Sequence, residues 1–121
     1  MAVSVNRAAH DLAARTPIAA VAGYLQDALG QRLTAVIARV SDTKAVGQWA
    51  KGTRRPHPEV ETRLRHAFQV VQLLMQVESS ETVRAWFLGM NPELDDQSPA
   101  MMIAEDPQAV LQAAKFFLAH G

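Results

Sequence analysis

Basic and hydrogen-bonding side chains are concentrated between residues 42 and 55, and their chemistry suits nucleic acid. Lysine and arginine side chains bind phosphate oxygens, while short polar side chains and amides hydrogen-bond to base edges. Candidates for base edges are Asp42, Thr43, Lys44 and Gln48, and candidates for phosphates are Lys51, Arg54 and Arg55, with Arg63 as a further one. This spacing predicts a DNA-binding site.

Two short helices must position these side chains. The apolar spacing predicts one helix over about 33–39 and a second over about 42–51, with Ser41 as the cap of the second and Gly52 at its end. A small core of Val36, Val46 and Trp49 would hold them at a fixed angle. Two helices joined by a tight turn, with a basic loop after the second, are typical of a helix-turn-helix.

A structural interpretation of the same segment stays open. Three short helices can pack together with their charges on a solvated face, and charge runs are common on helix surfaces. Gly47 also destabilises the second helix by about 1 kcal/mol relative to alanine, which counts against strong sequence-specific binding of DNA.

Charge divides the chain into two halves although its net charge is zero. Residues 32–66 hold eight basic and three acidic side chains, a net charge of +5. Residues 67–121 hold two basic and seven acidic ones, a net charge of −5. The split favours two surfaces with different partners, a basic one for phosphates and an acidic one for something else.

The length of 121 residues favours one compact domain, or one domain with a small appendage, and the apolar spacing predicts an all-α fold of six or seven helices. Six prolines mark helix boundaries, and Asn6, Ser79, Ser80 and Asp106 are cap candidates. The longest helix is predicted over 58–78 and is apolar on more than one face after Phe68, which indicates burial between two sets of neighbours. The predicted divisions are an N-terminal arm, 1–16, whose order stays open, then 17–66 and 67–121.

An enzyme is not expected. The chain has no cysteine, and its four histidines, His10, His57, His66 and His120, are scattered without metal-ligand spacing. Adjacent carboxylates in a proline-flanked loop, as at Asp95 and Asp96, are usually solvated. No phosphate-binding glycine loop is present, so we expect no catalytic residue, metal or cofactor. The sequence also lacks a transmembrane run and a secretory signal, which indicates a cytoplasmic protein without a membrane partner.

Two patterns carry a family resemblance that covers roughly residues 33–121. The first is the run from Trp86 to Pro99, with Asn91-Pro92, Leu94 and Ser98-Pro99, followed by Asp106-Pro107 and a last helix. The second is Val46-Gly47-Gln48-Trp49-Ala50-Lys51-Gly52 with Pro56. Together they resemble antitoxins of the Xre/MbcA/ParS type, which are partners of RES-domain toxins.

The resemblance implies a helix-turn-helix domain followed by a small helical toxin-binding domain. It implies an antitoxin that covers the active site of a NAD⁺-degrading toxin and binds promoter DNA, as a homo-oligomer or a toxin–antitoxin complex. Trp86 and Leu94 would fill the core, while Asn91-Pro92 and Ser98-Pro99 would form turns and caps. The toxin-binding candidates are Asn91, Asp95, Asp96, Ser98, Ala119, His120 and Gly121.

Two other functions stay open. One is a stand-alone helix-turn-helix regulator whose acidic half dimerises. The other is a helical adaptor without a DNA role, which is favoured if Lys44→Ala and Arg54→Ala change nothing.

Overall fold

The computed structural model describes the backbone of residues 2–121 and the side chains of Arg7 and residues 10–121. Within these residues the fold is all-α, with no strand, and it has eight α-helices, one or two more than expected. The helices are α1 (Ala2–Arg15), α2 (Ile18–Leu29), α3 (Gln31–Ala38), α4 (Lys44–Lys51), α5 (Pro58–Met75), α6 (Ser80–Leu88), α7 (Pro99–Met102) and α8 (Pro107–His120), with a 3₁₀ turn at Pro92–Leu94.

Several helix boundaries follow the signals expected from the sequence. The hydroxyl of Ser79 accepts from the Thr82 amide at 3.2 Å, and one carboxylate oxygen of Asp106 accepts from the Ala109 amide at 3.1 Å. Each interaction satisfies an amide that the first helical turn leaves unpaired. Gly52 ends α4 in the left-handed region, with a φ of 76°. The predicted caps at Ser79 and Asp106 are therefore confirmed.

Other boundaries differ from the prediction. Ser41 does not cap α4; instead Asp42 accepts from the Lys44 amide at 3.0 Å, and the helix begins two residues later than expected. The backbone of α1 is helical from Ala2, so Asn6 lies inside the helix rather than at its beginning. Helix α5 ends at Met75, and Val77 beyond it is exposed. A short polar side chain competes for local backbone groups in several ways, so its type alone does not fix the cap position.

Helix α5 forms the centre of the fold. It packs against α1, α2, α3, α6 and α8, and its side chains from Leu64 to Leu74 supply much of the core. Phe68 also meets the ring of Tyr24 of α2 edge-on, with centroids 5.1 Å apart. The expectation that this helix lies between two sets of neighbours is confirmed, and both charged halves of the chain share one continuous core.

Three half-buried arginines of α5 and α6 donate hydrogen bonds to backbone carbonyls at the C-terminal ends of three other helices. Arg65 donates to the carbonyl oxygens of Ala13 and Thr16 at 2.8 and 2.7 Å, at the end of α1. Arg63 donates to Ala38 at the end of α3, and Arg84 to Ala28 near the end of α2, both at 3.0 Å. The last carbonyls of a helix have no partner within it, and a cation there also complements the helix dipole. Arg63 uses one guanidinium nitrogen in this contact, and its phosphate role stays a prediction.

Across the part of the chain that the structure describes, no helix combines the length and apolarity that crossing a bilayer requires.

Candidate functional site

The basic segment forms a three-helix unit of α2, α3 and α4. Helix α4 packs on α2 and α3 through Val46 and Trp49, which are both buried as predicted. Val36 is not part of this core, since 39% of its surface is exposed. The apolar stripe of α3 is rotated, so Ile37 and Leu33 take the inward positions instead. Two of the three predicted core residues, Val46 and Trp49, are therefore buried, and Val36 is not.

The opposite face of α4 is exposed and carries the predicted polar side chains. Lys44, Gln48 and Lys51 are exposed, one helical turn apart, and Asp42 lies in the preceding turn with Thr43 half-buried beside it. The main packing partners of α4 are α2 and α3, and the three side chains of the opposite face stay exposed. Side chains at i, i+4 and i+7 of one helix lie on one face, which is the geometry needed to enter a DNA groove.

Arg54 and Arg55 lie in the exposed turn after α4. Arg54 donates to the amide oxygen of Gln48 at 3.3 Å, so a phosphate candidate and a base candidate are in contact. Arg55 pairs with Glu61 at 3.0 Å, which offsets part of its charge. Lys44, Lys51 and Arg54 therefore contribute more of the positive field on this face than Arg55.

Gly47 allows the side chain of Gln31 to lie across the α4 face. A Cβ atom at position 47 would be 2.9 Å from Nε2 of Gln31, which itself donates to Oε1 of Gln26 at 2.8 Å. These three residues line a polar recess of about 320 Å³ together with Lys44, Gln48 and Lys51. The glycine that weakens the helix is thus the position where another polar side chain approaches it closely.

The acidic loop between α6 and α7 has a fixed shape. The backbone N–H of Asn91 donates to the backbone carbonyl of Gln97 at 3.1 Å. The side-chain oxygen of Asn91 accepts from the backbone N–H of Glu93 at 2.9 Å. Asp95 and Asp96 both adopt positive φ angles, 54° and 66°, and both side chains are exposed. Aspartate tolerates this left-handed region better than most residues because its side chain is short and polar. The loop therefore presents two carboxylates to solvent on a defined backbone.

The predicted toxin-binding residues come together only in part. Asn91, His120 and Gly121 line one groove of about 380 Å³ between the end of α6 and α8. Asp95 and Asp96 follow in the loop that begins at this groove. Ser98 accepts from the Met101 amide at 3.3 Å, which is the cap expected of Ser98-Pro99, and Ala119 is exposed near the end of α8.

The apolar lining of this groove is what sequence reasoning missed. Trp86 was expected in the core, but it is only half-buried and lines the groove with Met90, Phe116 and Phe117. Met90 is 81% exposed and Phe116 is 45% exposed. Leu94, in contrast, is buried as predicted. The available signal was the Phe116-Phe117 pair, since neighbouring residues lie about 100° apart around a helix and at least one of them stands away from the centre of the buried face.

Comparisons of this chain with protein-family models, with curated proteins and with solved structures found no match.

Proposed function

We propose that this protein is the antitoxin of a type II toxin–antitoxin pair and neutralises a RES-domain toxin that degrades NAD⁺ by covering its active site. The observation that carries the proposal is the groove at the acidic end, where Asn91 and the chain-end residues His120 and Gly121 meet. Residues from two separate segments thus border one surface, beside a loop with two exposed carboxylates. A folded surface of this kind suits a protein partner.

Electrostatics supplies the inhibitory mechanism. A toxin cleft that binds the phosphates of NAD⁺ is basic, so the carboxylates of Asp95 and Asp96 are attracted to the same groups. Their exposed positions on an ordered loop let them approach such a cleft without first ordering the backbone. Occupation of the cleft by these carboxylates excludes the dinucleotide and stops its hydrolysis.

The basic face of α4 supplies the second part of the function, autoregulatory DNA binding. Lys44 and Gln48 would meet base edges, while Lys51 and Arg54 would bind phosphates. The exposed polar face of α4, opposite the side that packs on α2 and α3, supports separate surfaces for DNA and toxin. Promoter DNA and the toxin are the two proposed partners.

Co-expression with a RES-domain protein encoded by the neighbouring gene tests the proposal. The toxin alone should arrest growth and deplete cellular NAD⁺, and the wild-type chain should restore both. An Asp95→Asn/Asp96→Asn variant should protect less well, while Glu59→Gln, which removes an exposed carboxylate from the basic half, should protect fully. Growth arrest that persists with the folded wild-type chain would contradict the antitoxin function.

The alternative is a stand-alone helix-turn-helix regulator whose C-terminal half dimerises. It is favoured by the exposed apolar side chains Leu88, Met90 and Phe116, which a second copy could bury. This alternative requires a dimer of the isolated chain and half-sites about 34 Å apart in the operator. Sedimentation equilibrium together with a gel-shift titration on the upstream DNA distinguishes it from the antitoxin.

A further inference from the structure

Two exposed apolar side chains, Met90 and Phe116, border one groove at the end of α8. Its walls are the aromatic rings of Trp86, Phe116 and Phe117, with Met90 and Pro92 at one side. A volume of about 380 Å³ lies in the range of about 300–1,000 Å³ in which proteins enclose ligands. Aromatic and methionine side chains are also the types enriched at the centres of protein interfaces.

The aromatic walls of the groove pack against neighbouring rings, and two of them also pack against the core. Trp86 meets Phe87 edge-on with centroids 5.1 Å apart, and Phe87 is completely buried. The ring of Trp86 also lies 6.4 Å from that of Phe117. His120 stacks on Phe116 at 4.1 Å and contacts its carbonyl at 3.0 Å, which limits the motion of this wall. A groove with fixed walls binds at a lower entropic cost than one that must form on contact.

The charges around the groove favour a basic partner over a second copy of the chain. Glu93 lines the groove, and Asp95 and Asp96 follow it in the same exposed loop. Among the described residues 67–121 the lysine and arginine side chains are Arg84, which donates to the Ala28 carbonyl, and Lys115. Two copies that met face to face through this groove would each place Glu93 in the interface, and like charges at an interface oppose association.

We infer that the groove of Trp86, Met90, Phe116 and Phe117 anchors a bulky apolar side chain of the toxin that has lysine or arginine beside it. This inference rests on the proposed function and adds an apolar anchor to the carboxylates of the acidic loop. The anchor resists dissociation, and the carboxylates of Asp95 and Asp96 speed the encounter. Apolar contacts at the centre of an interface act mainly on the dissociation rate, while charges at its rim act on the association rate.

Kinetics of binding to the neighbouring RES-domain protein separate the two contributions. Met90→Ser and Phe116→Ser should each raise the dissociation rate at least about tenfold and leave the association rate and its salt dependence unchanged. Met101→Ser is the matched control, since Met101 is also an exposed methionine but lies in α7 outside the groove. Asp95→Asn/Asp96→Asn should lower the association rate and flatten its salt dependence. Circular dichroism checks that each variant is folded.

Three outcomes would overturn the inference. Dissociation rates within about twofold of wild type for folded Met90→Ser and Phe116→Ser variants would refute the anchor and leave the antitoxin function intact. A wild-type chain that dimerises alone, with monomeric groove variants, would assign the groove to a second copy. Failure of the wild-type chain to bind the RES-domain protein would overturn the proposed function and the inference with it.

Discussion

The guanidinium of Arg39 lies 3.0 Å from the carboxylate of Glu105 and joins the turn before α4 to the acidic half of the chain. The same nitrogen donates to the Met101 carbonyl at 3.1 Å. Arg39 itself adopts a left-handed conformation, with a φ of 60°, as the residue that ends α3. The two halves defined by charge are therefore linked by a direct ion pair as well as by their common core.

Glu105→Gln should lower the free energy of unfolding by less than about 1 kcal/mol. The side chains of Arg39 and Glu105 are 37% and 60% exposed, so water and salt screen their attraction. Urea denaturation of both proteins measures the difference, which should shrink further at 1 M salt. A loss above about 2 kcal/mol that persists at high salt would mean that the link has a structural role beyond charge.

Lys51→Ala and Arg54→Ala should each weaken DNA binding and reduce its dependence on salt. A cationic side chain that binds one phosphate contributes a slope of about 0.9 in a plot of the logarithm of affinity against that of salt concentration. Gel-shift titrations on the upstream DNA at several salt concentrations measure both quantities. Lys115→Ala removes the same charge from α8 and should change neither; an equal effect of all three variants would argue against a DNA surface on α4.

Gly47→Ala should raise the stability of the fold by up to about 1 kcal/mol. Alanine favours a helix by about that amount, and the atom nearest to the new Cβ is the end of the flexible Gln31 side chain. Gln31 can turn away at the cost of its exposed hydrogen bond to Gln26. In a Gln31→Ala background the same substitution should give the full gain. Thermal unfolding of the four proteins checks this, and destabilisation in both backgrounds would point to crowding of the α4 backbone instead.

Arg63→Met should destabilise the protein by about 1–2 kcal/mol. Methionine keeps much of the apolar length, but the Ala38 carbonyl at the end of α3 loses its charged donor. The matched variant is Arg54→Met, whose exposed guanidinium donates to the Gln48 side chain, and it should cost less than about 0.5 kcal/mol. Urea denaturation distinguishes the two; equal losses would show that the Ala38 contact contributes nothing specific.

Local signals made much of the fold predictable. Ser79 and Asp106 cap helices where the sequence indicates, and Gly52 ends α4, because capping depends on residues only two or three positions apart. The burial of Val46 and Trp49 follows from the apolar stripe of one short helix. The same periodicity places Lys44 and Gln48 on the opposite, exposed face, so the residues of the α4 surface could be predicted from the sequence.

Long-range contacts explain what the sequence did not reveal. Arg63 has the charge of a phosphate ligand, yet it donates to a carbonyl 25 residues away. Val36 has the type of a core residue, but the rotation of α3 against α5 leaves it exposed. The groove depends on how α6 and α8 are placed against α5, and the local sequence around Met90 does not show that it lies near Phe116. Periodicity identifies an apolar face without identifying what covers it.

The free energy of unfolding should fall as the pH drops below about 6.5, because the folded protein favours the uncharged form of His66. Burial against α1 lowers the pKa of His66, and the nearby His10 lowers it further by charge repulsion. Arg65 borders the same cavity between α1 and α5, and Glu61 pairs with its guanidinium at 3.0 Å. A histidine pKa that is lower in the folded than in the unfolded chain gives stability that is fully present above about pH 6.5 and is lost as the pH falls through the folded value.

Urea denaturation between pH 7.5 and pH 5 should show this loss in the wild type, a smaller loss in His10→Gln and the smallest in His66→Gln. His57→Gln, which removes an exposed histidine at the start of α5, should keep the wild-type dependence, and a pH dependence unchanged in His66→Gln would assign the loss to other groups.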